Sequence, residues 1–262
     1  RDLVRSRGLG DVYKRQAMEY TYTYDNASVR GKRNPIWWQT TVASAGNLTS
    51  AVYRIFGKPF SEEGKKLFGV PFAQFLKLNS EFRYHYRIDK NQMIASRIAG
   101  GVIWSYGNAT TAPYTEQFYI GGANSVRAFS ARSIGPGGYP PETDRKYTYI
   151  NHVGDIRIEA NIEYRFRMIA DLHGAVFLDA GNVWLMRKDE NRPNGEFTLK
   201  NFPKQIALGT GFGLRYDLDF LVFRLDLGIG LHDPYDTGKS GYYNIPKFKD
   251  SMALHFAIGY PF

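Results

Sequence analysis

The 262-residue chain carries a net charge of +9, and 43% of its residues are hydrophobic and 16% aromatic. It has no cysteine, which excludes disulfide bonds and thiolate metal sites, and no apolar run approaches the roughly 20 residues of a membrane-spanning helix. A hydropathy scan would class such a chain as soluble, but it does not detect transmembrane strands, whose signal is alternation. The positive charge suits nucleic acid, an anionic lipid surface or a charged cavity, and the alternation described below favours a cavity.

Residues 1–16 are excluded from the fold prediction. They lack the apolar segment of a signal peptide, and they resemble translated sequencing-adapter sequence. A native basic tail is the alternative interpretation. If the exclusion is correct, the native N-terminus lies upstream of this chain.

From Met18 onward, apolar and polar residues alternate with a period of two, the pattern of a strand with one apolar and one polar face. In the stretch 156–166, Ile, Ala, Tyr and Phe occupy one face and Arg, Glu and Asn the other. Nine stretches of this kind are present, at 18–24, 38–48, 76–88, 94–104, 156–166, 176–180, 206–216, 221–231 and 252–262. The sequence therefore predicts an all-β fold.

The connections between these strands alternate in length. Short turns lie near 89–90, 168–172 and 217–219, and long segments occupy 53–73, 107–152, 185–204 and 232–250, as in outer-membrane barrels. A soluble sandwich would also alternate, but its solvent face would rarely carry Arg-Glu-Asn-Glu-Arg-Arg within one strand. Four aromatic residues are expected at the levels of the membrane interfaces: Trp104, Tyr164, Tyr216 and Tyr260.

The number of strands indicates whether the predicted barrel is complete. Single-chain bacterial barrels close with an even number of strands, so nine strands predict the C-terminal part of a larger barrel. Residues 17–262 are accordingly predicted to form a partial transmembrane β-barrel domain, with the missing strands upstream.

The segment between the fourth and fifth strands is too rich in glycine for a helix and too irregular for a strand. Its motif residues are Gly121, Gly122, Val126, Arg127, Phe129, Gly135, Pro136 and Gly137. It resembles the lumen-entering loop of the bacterial surface antigen family of outer-membrane insertases, the BamA/TamA-like proteins. The family's aromatic-x-Asp-x-Gly motif matches 177–181, and Glu163 stands where the family has a lumen-facing acid. The family's commonest residue at the position of Ala128 is glycine, and a Cβ there restricts the loop to negative φ.

The resemblance implies a 16-stranded barrel in which these strands are numbers eight to sixteen and the 107–152 loop lies between strands eleven and twelve. It also implies that Arg127 makes charge-assisted hydrogen bonds to Asp179 and Glu163 on the barrel wall. A solvated loop arginine is the alternative. The resemblance rests on motifs over 110–262 and on the strand pattern alone over 17–106.

The end of the chain is similar to the C-terminal recognition signal of outer-membrane barrels. The residues that carry this similarity are Phe256, Ile258, Gly259, Tyr260 and Phe262. In the family, the last strand pairs weakly with the first to form a seam that opens sideways and templates client strands. Gly259 and Pro261 suit a weak ladder, although simple strand termination explains them equally well.

The sequence contains none of the common catalytic motifs: no nucleophile elbow, metalloprotease helix or phosphate loop. We therefore expect no enzymatic activity, no cofactor and no metal site. The glycines at 209, 211 and 213 lie within an alternating strand and are predicted to make room in the lumen. Arginines and acids share one face of the strands, which is poorly suited to nucleic acid.

By resemblance, the protein is expected to fold and insert other outer-membrane proteins. The implied partners are the outer-membrane bilayer, client outer-membrane proteins, and accessory lipoproteins or periplasmic and inner-membrane proteins reached through upstream domains. Two alternatives stay open: a passive or secretion pore gated by the 107–152 loop, and a barrel appended to a lipase-type enzyme.

Overall fold

The computed structural model describes residues 17–27, 33–60, 64–109, 111–141, 151–218 and 220–262, so residues 1–16 lie outside the described chain. The strands of the described part are β1 (Ala17–Asp25), β2 (Ile36–Ala45), β3 (Lys66–Leu67), β4 (Val70–Pro71), β5 (Phe75–Arg87), β6 (Gln92–Ser105), β7 (Ile156–Ile169), β8 (Leu172–Trp184), β9 (Ala207–Asp217), β10 (Val222–His232) and β11 (Met252–Ile258). The described residues also include an α-helix, α1 (Asn47–Ile55), and two 3₁₀ turns, Phe202–Gln205 and Phe248–Ser251.

Nine of these strands form one antiparallel sheet in the order β1-β2-β5-β6-β7-β8-β9-β10-β11, and β3 and β4 form a separate small hairpin. The predicted all-β fold with nine antiparallel strands is confirmed. Within the described residues, β1 and β11 are the two edges of the large sheet.

Alternation gives the sheet two chemically different faces. On β7, Ile162 and Tyr164 are exposed, whereas Glu159, Glu163 and Arg165 are buried. Side chains of β6, β7, β8, β10 and β11 converge on one loop, so the polar face is the concave one. The apolar rows therefore face outward and the charged rows face an enclosed interior, as the sequence predicts.

The two ends of the sheet differ as predicted. Short connections at 88–91, 170–171 and 218–221 lie at one end, and long ones at 46–74, 106–155, 185–206 and 233–251 lie at the other. Trp104 is exposed at the long-loop end, and Tyr164 and Tyr216 are exposed at the short-turn end. Among the helices of the described chain, none has the length and apolarity needed to cross a membrane.

The second strand ends earlier than predicted. It stops at Ala45 and not at Leu48, because Gly46 adopts a φ of 73° and helix α1 follows directly. A Cβ on Gly46 would lie 2.3 Å from the carbonyl oxygen of Ala73. Period-two reasoning missed the helix because a nine-residue segment on a sheet rim is too short to establish a different period.

The last strand also ends earlier than predicted, and the expected outward position of Tyr260 and Phe262 is wrong. The chain leaves the sheet at Gly259, whose φ is 84°. The Arg165 guanidinium lies 4.6 Å from the centroid of the Tyr260 ring and donates a 3.1 Å hydrogen bond to the carbonyl oxygen of Phe262. Phe262 is consequently buried on the concave side.

Candidate functional site

The long connection between β6 and β7 folds back over the concave face. Val126 and Ile134 from this loop are buried in one apolar cluster with Phe75 and Ile103 of the wall. Arg127 has no exposed surface. The loop therefore lies inside the lumen, and its own side chains fill part of that space.

Two glycines allow the loop to reverse direction. Gly121 has a φ of 92°, and a Cβ on it would lie 2.2 Å from the carbonyl oxygen of Ser130. The next residue, Gly122, donates its N–H to the carbonyl oxygen of Phe129 at 2.7 Å. Phe129 in turn packs against the apolar cluster. The contacts close a turn that presents residues 123–128 to the wall.

The second half of the motif ties the loop to the end of β8. The N–H of Gly137 donates to the carbonyl oxygen of Val183 at 2.7 Å, and the side-chain amide of Asn182 donates to the carbonyl oxygen of Gly137 at 2.8 Å. A Cβ on Gly135 would lie 2.6 Å from the Asn182 side chain. Pro136 between them is buried. This part of the motif thus positions the loop against one strand.

Arg127 forms a bidentate salt bridge with Asp179. Its Nε lies 2.8 Å from Oδ2 and its Nη2 lies 2.9 Å from Oδ1. The backbone N–H of Arg127 donates to the same carboxylate at 3.0 Å, and its Nη1 donates to Glu163. The Phe177 ring, two residues before Asp179 and on the same face of β8, has its centroid 3.6 Å from the Arg127 guanidinium carbon. The structure therefore brings together the three charged residues that the resemblance singled out.

The charge state of Arg127 follows from these neighbours. Burial acting alone would lower the pKa of the guanidinium, but the hydrogen bonds and charges of Asp179 and Glu163 outweigh burial and raise the pKa above its ordinary value. Arg127 is consequently a permanent cation.

The Arg127 pair belongs to a larger charged network on the wall. Glu163 also accepts hydrogen bonds from Arg165 at 2.7 Å and from Arg215 at 3.1 Å. Arg215 extends the network to Asp226 at 2.5 Å. Because all of these side chains are buried, each charge depends on its partners for compensation.

The backbone of residues 123–128, here called the loop tip, is also held by hydrogen bonds. Four side chains from β6, β7, β10 and β11 donate hydrogen bonds to carbonyl oxygens of residues 123–127. The pairs are Arg97 Nη1 to Asn124 O at 2.8 Å, Asn161 Nδ2 to Ser125 O at 3.0 Å, Arg224 Nη1 to Ala123 O at 3.0 Å and His255 Nε2 to Arg127 O at 2.9 Å.

Glycines on β9 and β10 form the surface on which the tip rests. A Cβ on Gly228 would lie 2.2 Å from the carbonyl oxygen of Arg127, and a Cβ on Gly209 would lie 2.2 Å from the Cβ of Ala128. Gly211 and Gly213 similarly leave space for wall side chains. The interpretation that the glycines of this strand make room in the lumen is confirmed.

Ala128 departs from the family's common glycine without strain. Positive φ occurs among the described non-glycine residues at Phe68, Arg132, Ala170 and Asn194, and Ala128 is not one of them. Its Cβ instead fills the space above Gly209.

The chain matches a known protein family. A family model described as the Omp85 superfamily domain matches residues 65–262. The chain belongs to the Omp85 superfamily. The match includes the loop, its carboxylate partners and the last seven strands of the sheet, whereas β1 and β2 lie outside it.

Individual relatives agree with this Omp85 membership. The outer membrane protein assembly factor BamA of Nitratidesulfovibrio vulgaris is 28% identical over 204 residues, which cover 76% of this chain and 22% of that protein. The chain thus spans about a fifth of the length of this curated relative.

Two solved structures share the fold. The structure of BamA from Haemophilus ducreyi lacking POTRA domains 1–3 has a TM-score of 0.59 and 13% identity. The match covers 93% of this chain and 42% of the BamA chain. CdiB from Escherichia coli has a TM-score of 0.57 and 14% identity, and the match covers 95% of this chain and 37% of CdiB. With its apolar faces turned outward, this Omp85 chain is a β-barrel protein of the bacterial outer membrane.

Several residues that hold the Omp85 loop or its carboxylate partners are not singled out by the sequence. Alternation predicts that Asn161, Arg215 and Asp226 lie on the polar face, but it does not provide the cross-strand distances on which their contacts depend. Alternation places His255 on the inward side of the last strand but does not indicate its contact with the loop. The register supplies the missing signal, because it places Asp226 opposite Gly213 and Asn161 opposite Asp179.

The Arg127 network predicts strong coupling between its members. Replacing Arg127→Ala leaves Asp179 uncompensated in a buried site, at a cost of about 3–5 kcal/mol. Asp179→Asn should cost a similar amount, and the double variant should cost much less than the sum. Urea unfolding of the folded barrel in vesicles measures all three. Fully additive effects would contradict the pairing.

The glycine surface predicts a steric effect. Gly228→Ala should push the loop tip out of the lumen, because the new methyl group would overlap the Arg127 carbonyl. Limited proteolysis within 107–152 should become faster. Gly100→Ala is the matched control, since its Cβ would be 3.8 Å from the nearest carbonyl oxygen. Equal protease resistance in the two variants would show that the loop does not rest on β10.

Proposed function

We propose that the protein assists the folding and insertion of other outer-membrane proteins, and that client strands pair with the edge of β11. The proposal is supported by membership in the Omp85 superfamily and by the likeness to a BamA assembly factor. No cofactor or catalytic step is required, because pairing at a sheet edge uses only backbone hydrogen bonds. We therefore propose that this chain is not an enzyme.

The edge strand has the features that such templating needs. β11 is seven residues long and pairs with β10 on one side. Phe256 and Ile258 point outward and are exposed, so a client strand beside them would extend the lipid-facing surface. The inward turn at Gly259 shortens the ladder, which weakens any permanent pairing at this edge.

One contact carries the proposal: the His255 side chain on β11 donates a 2.9 Å hydrogen bond to the carbonyl oxygen of Arg127. This bond connects the loop tip to the edge strand. Through Arg127, the tip is also fixed to Asp179 on β8 and Glu163 on β7. In our proposal, the loop holds β11 in the curvature that an incoming strand must match.

The partners of this activity follow from the proposal. They are the outer-membrane bilayer on the apolar face and client outer-membrane proteins at the β11 edge. Accessory lipoproteins and periplasmic or inner-membrane proteins would bind through domains upstream of the residues described.

A gated pore is the second candidate function. The observation in its favour is that the described part of the 107–152 loop lies in the lumen and is anchored there by Arg127. If the loop gates a pore, Arg127→Ala should raise single-channel conductance in planar bilayers while client insertion stays unchanged. An assembly factor should instead lose insertion activity on the same substitution.

Templating at β11 predicts position-dependent crosslinks to clients. A photoreactive residue in place of Leu254 on β11 should crosslink to a client barrel during insertion into vesicles. Leu178 on β8 is the matched control, since it also faces outward but lies inside the sheet. Equal crosslinking at the two positions would contradict edge templating.

A further inference from the structure

Helix α1 exposes an unusually apolar surface at the long-loop end of the barrel. Leu48, Val52, Ile55 and Phe56, here called the apolar stripe, are 50%, 52%, 82% and 78% exposed. Their spacing of four, three and one residues places them along one side of the helix. Thr49 and Ser50 on the other side are buried.

The helix is attached to the outward face of the sheet rim. The N–H of Tyr106 donates to the carbonyl oxygen of Gln74 at 3.1 Å, which continues the β5–β6 pairing two residues beyond Leu76 and Trp104. Gln74 and Tyr106 thus share the outward side of those two residues. Asn47 accepts hydrogen bonds from both, at 3.2 Å and 2.9 Å.

Further contacts fix the orientation of the helix. Ser50 Oγ donates to Gln74 Oε1 at 3.0 Å, and the Tyr53 ring stacks on the Phe72 ring with centroids 6.4 Å apart. Lys65 is buried and its Nζ donates to the Ser50 hydroxyl at 3.2 Å. Since these residues lie on the side facing the sheet, the apolar stripe points away from the barrel.

This position makes the apolar stripe continuous with the membrane-facing surface. Leu76 and Trp104, directly below the helix on the same face, are 43% and 60% exposed. Residues 47–60 include Arg54 and Lys58, both exposed, and no acidic residue. A helix with an apolar side and basic residues beside it has the chemistry of a segment that lies in a lipid interface.

We propose that helix α1 is an interfacial anchor that lies in the outer leaflet, with the apolar stripe at the boundary of the acyl chains and with Arg54 and Lys58 bound to lipid phosphate groups. The anchor would hold the barrel rim beside β2 at a fixed depth. It depends on the fold and its membrane orientation and not on the activity proposed above.

Spin labelling tests the depth of the apolar stripe. The 262 residues contain no cysteine, so a nitroxide can be placed at Ile55→Cys in a cysteine-free form of the full-length protein. In vesicles of phosphatidylethanolamine and phosphatidylglycerol, this label should collide more with oxygen than with a water-soluble nickel complex, at a depth of about 5–10 Å.

Two labels provide the reference values. Ile98→Cys, in the middle of β6 and exposed on the outward face, reports the bilayer interior. Ser240→Cys, exposed in the β10–β11 connection, reports the aqueous phase. A stripe label that matches the Ser240 label would overturn the proposal. Dipolar broadening between stripe labels would also overturn it, since the apolar stripe would then be in contact with a second copy of the chain and not with lipid.

The role of the basic residues has its own test. Combining Arg54→Gln with Lys58→Gln should move the Ile55 label toward water in vesicles with phosphatidylglycerol. The shift should be smaller in phosphatidylcholine alone, because the choline cation balances the charge of each phosphate. An unchanged depth in the anionic vesicles would overturn the phosphate contacts. The Ile98 label in the same background should keep its depth, which shows that the barrel is folded.

Discussion

The structure depends on the compensation of one buried cation. Arg127 is brought into the lumen by the loop segment 119–141, which contains no helix or strand, and a guanidinium without exposed surface needs opposite charge and hydrogen-bond acceptors around it. Asp179 and Glu163 provide both. The arginine requires the wall, and the wall carboxylates equally require the arginine.

The rest of the lumen is arranged around that pair. Glycines on β9 and β10 bring the wall backbone close enough for the loop tip to contact it. Donors on four strands satisfy the carbonyl groups of the tip, which would otherwise be buried without partners. A loop held by so many strands is a structural part of the barrel, and this explains how an irregular segment can have a defined position.

The outward face follows a simpler rule, since any sufficiently apolar side chain is acceptable in lipid. Two of the departures from strict alternation occur at strand ends and begin at a glycine with positive φ. At Gly46 the chain turns into a helix on the outer rim, and at Gly259 it turns inward toward Arg165. One departure enlarges the apolar surface and the other shortens an edge strand. At these two ends we propose contacts with the lipid interface and with client strands.

Alternation in the sequence was sufficient to determine the existence of the nine strands of the large sheet, the two faces of that sheet and the two kinds of connection, because side-chain direction in a strand has a period of two whatever the partners. Resemblance in the loop motif was sufficient to nominate Arg127, Asp179 and Glu163. Only the tertiary structure revealed that Asn161, Arg224 and His255 hold the tip, because these contacts join residues from strands far apart in the chain. It also decided the inward position of Phe262. The positive φ of Gly259 ends the alternation of β11, so the faces of the residues after it do not follow from the strand pattern.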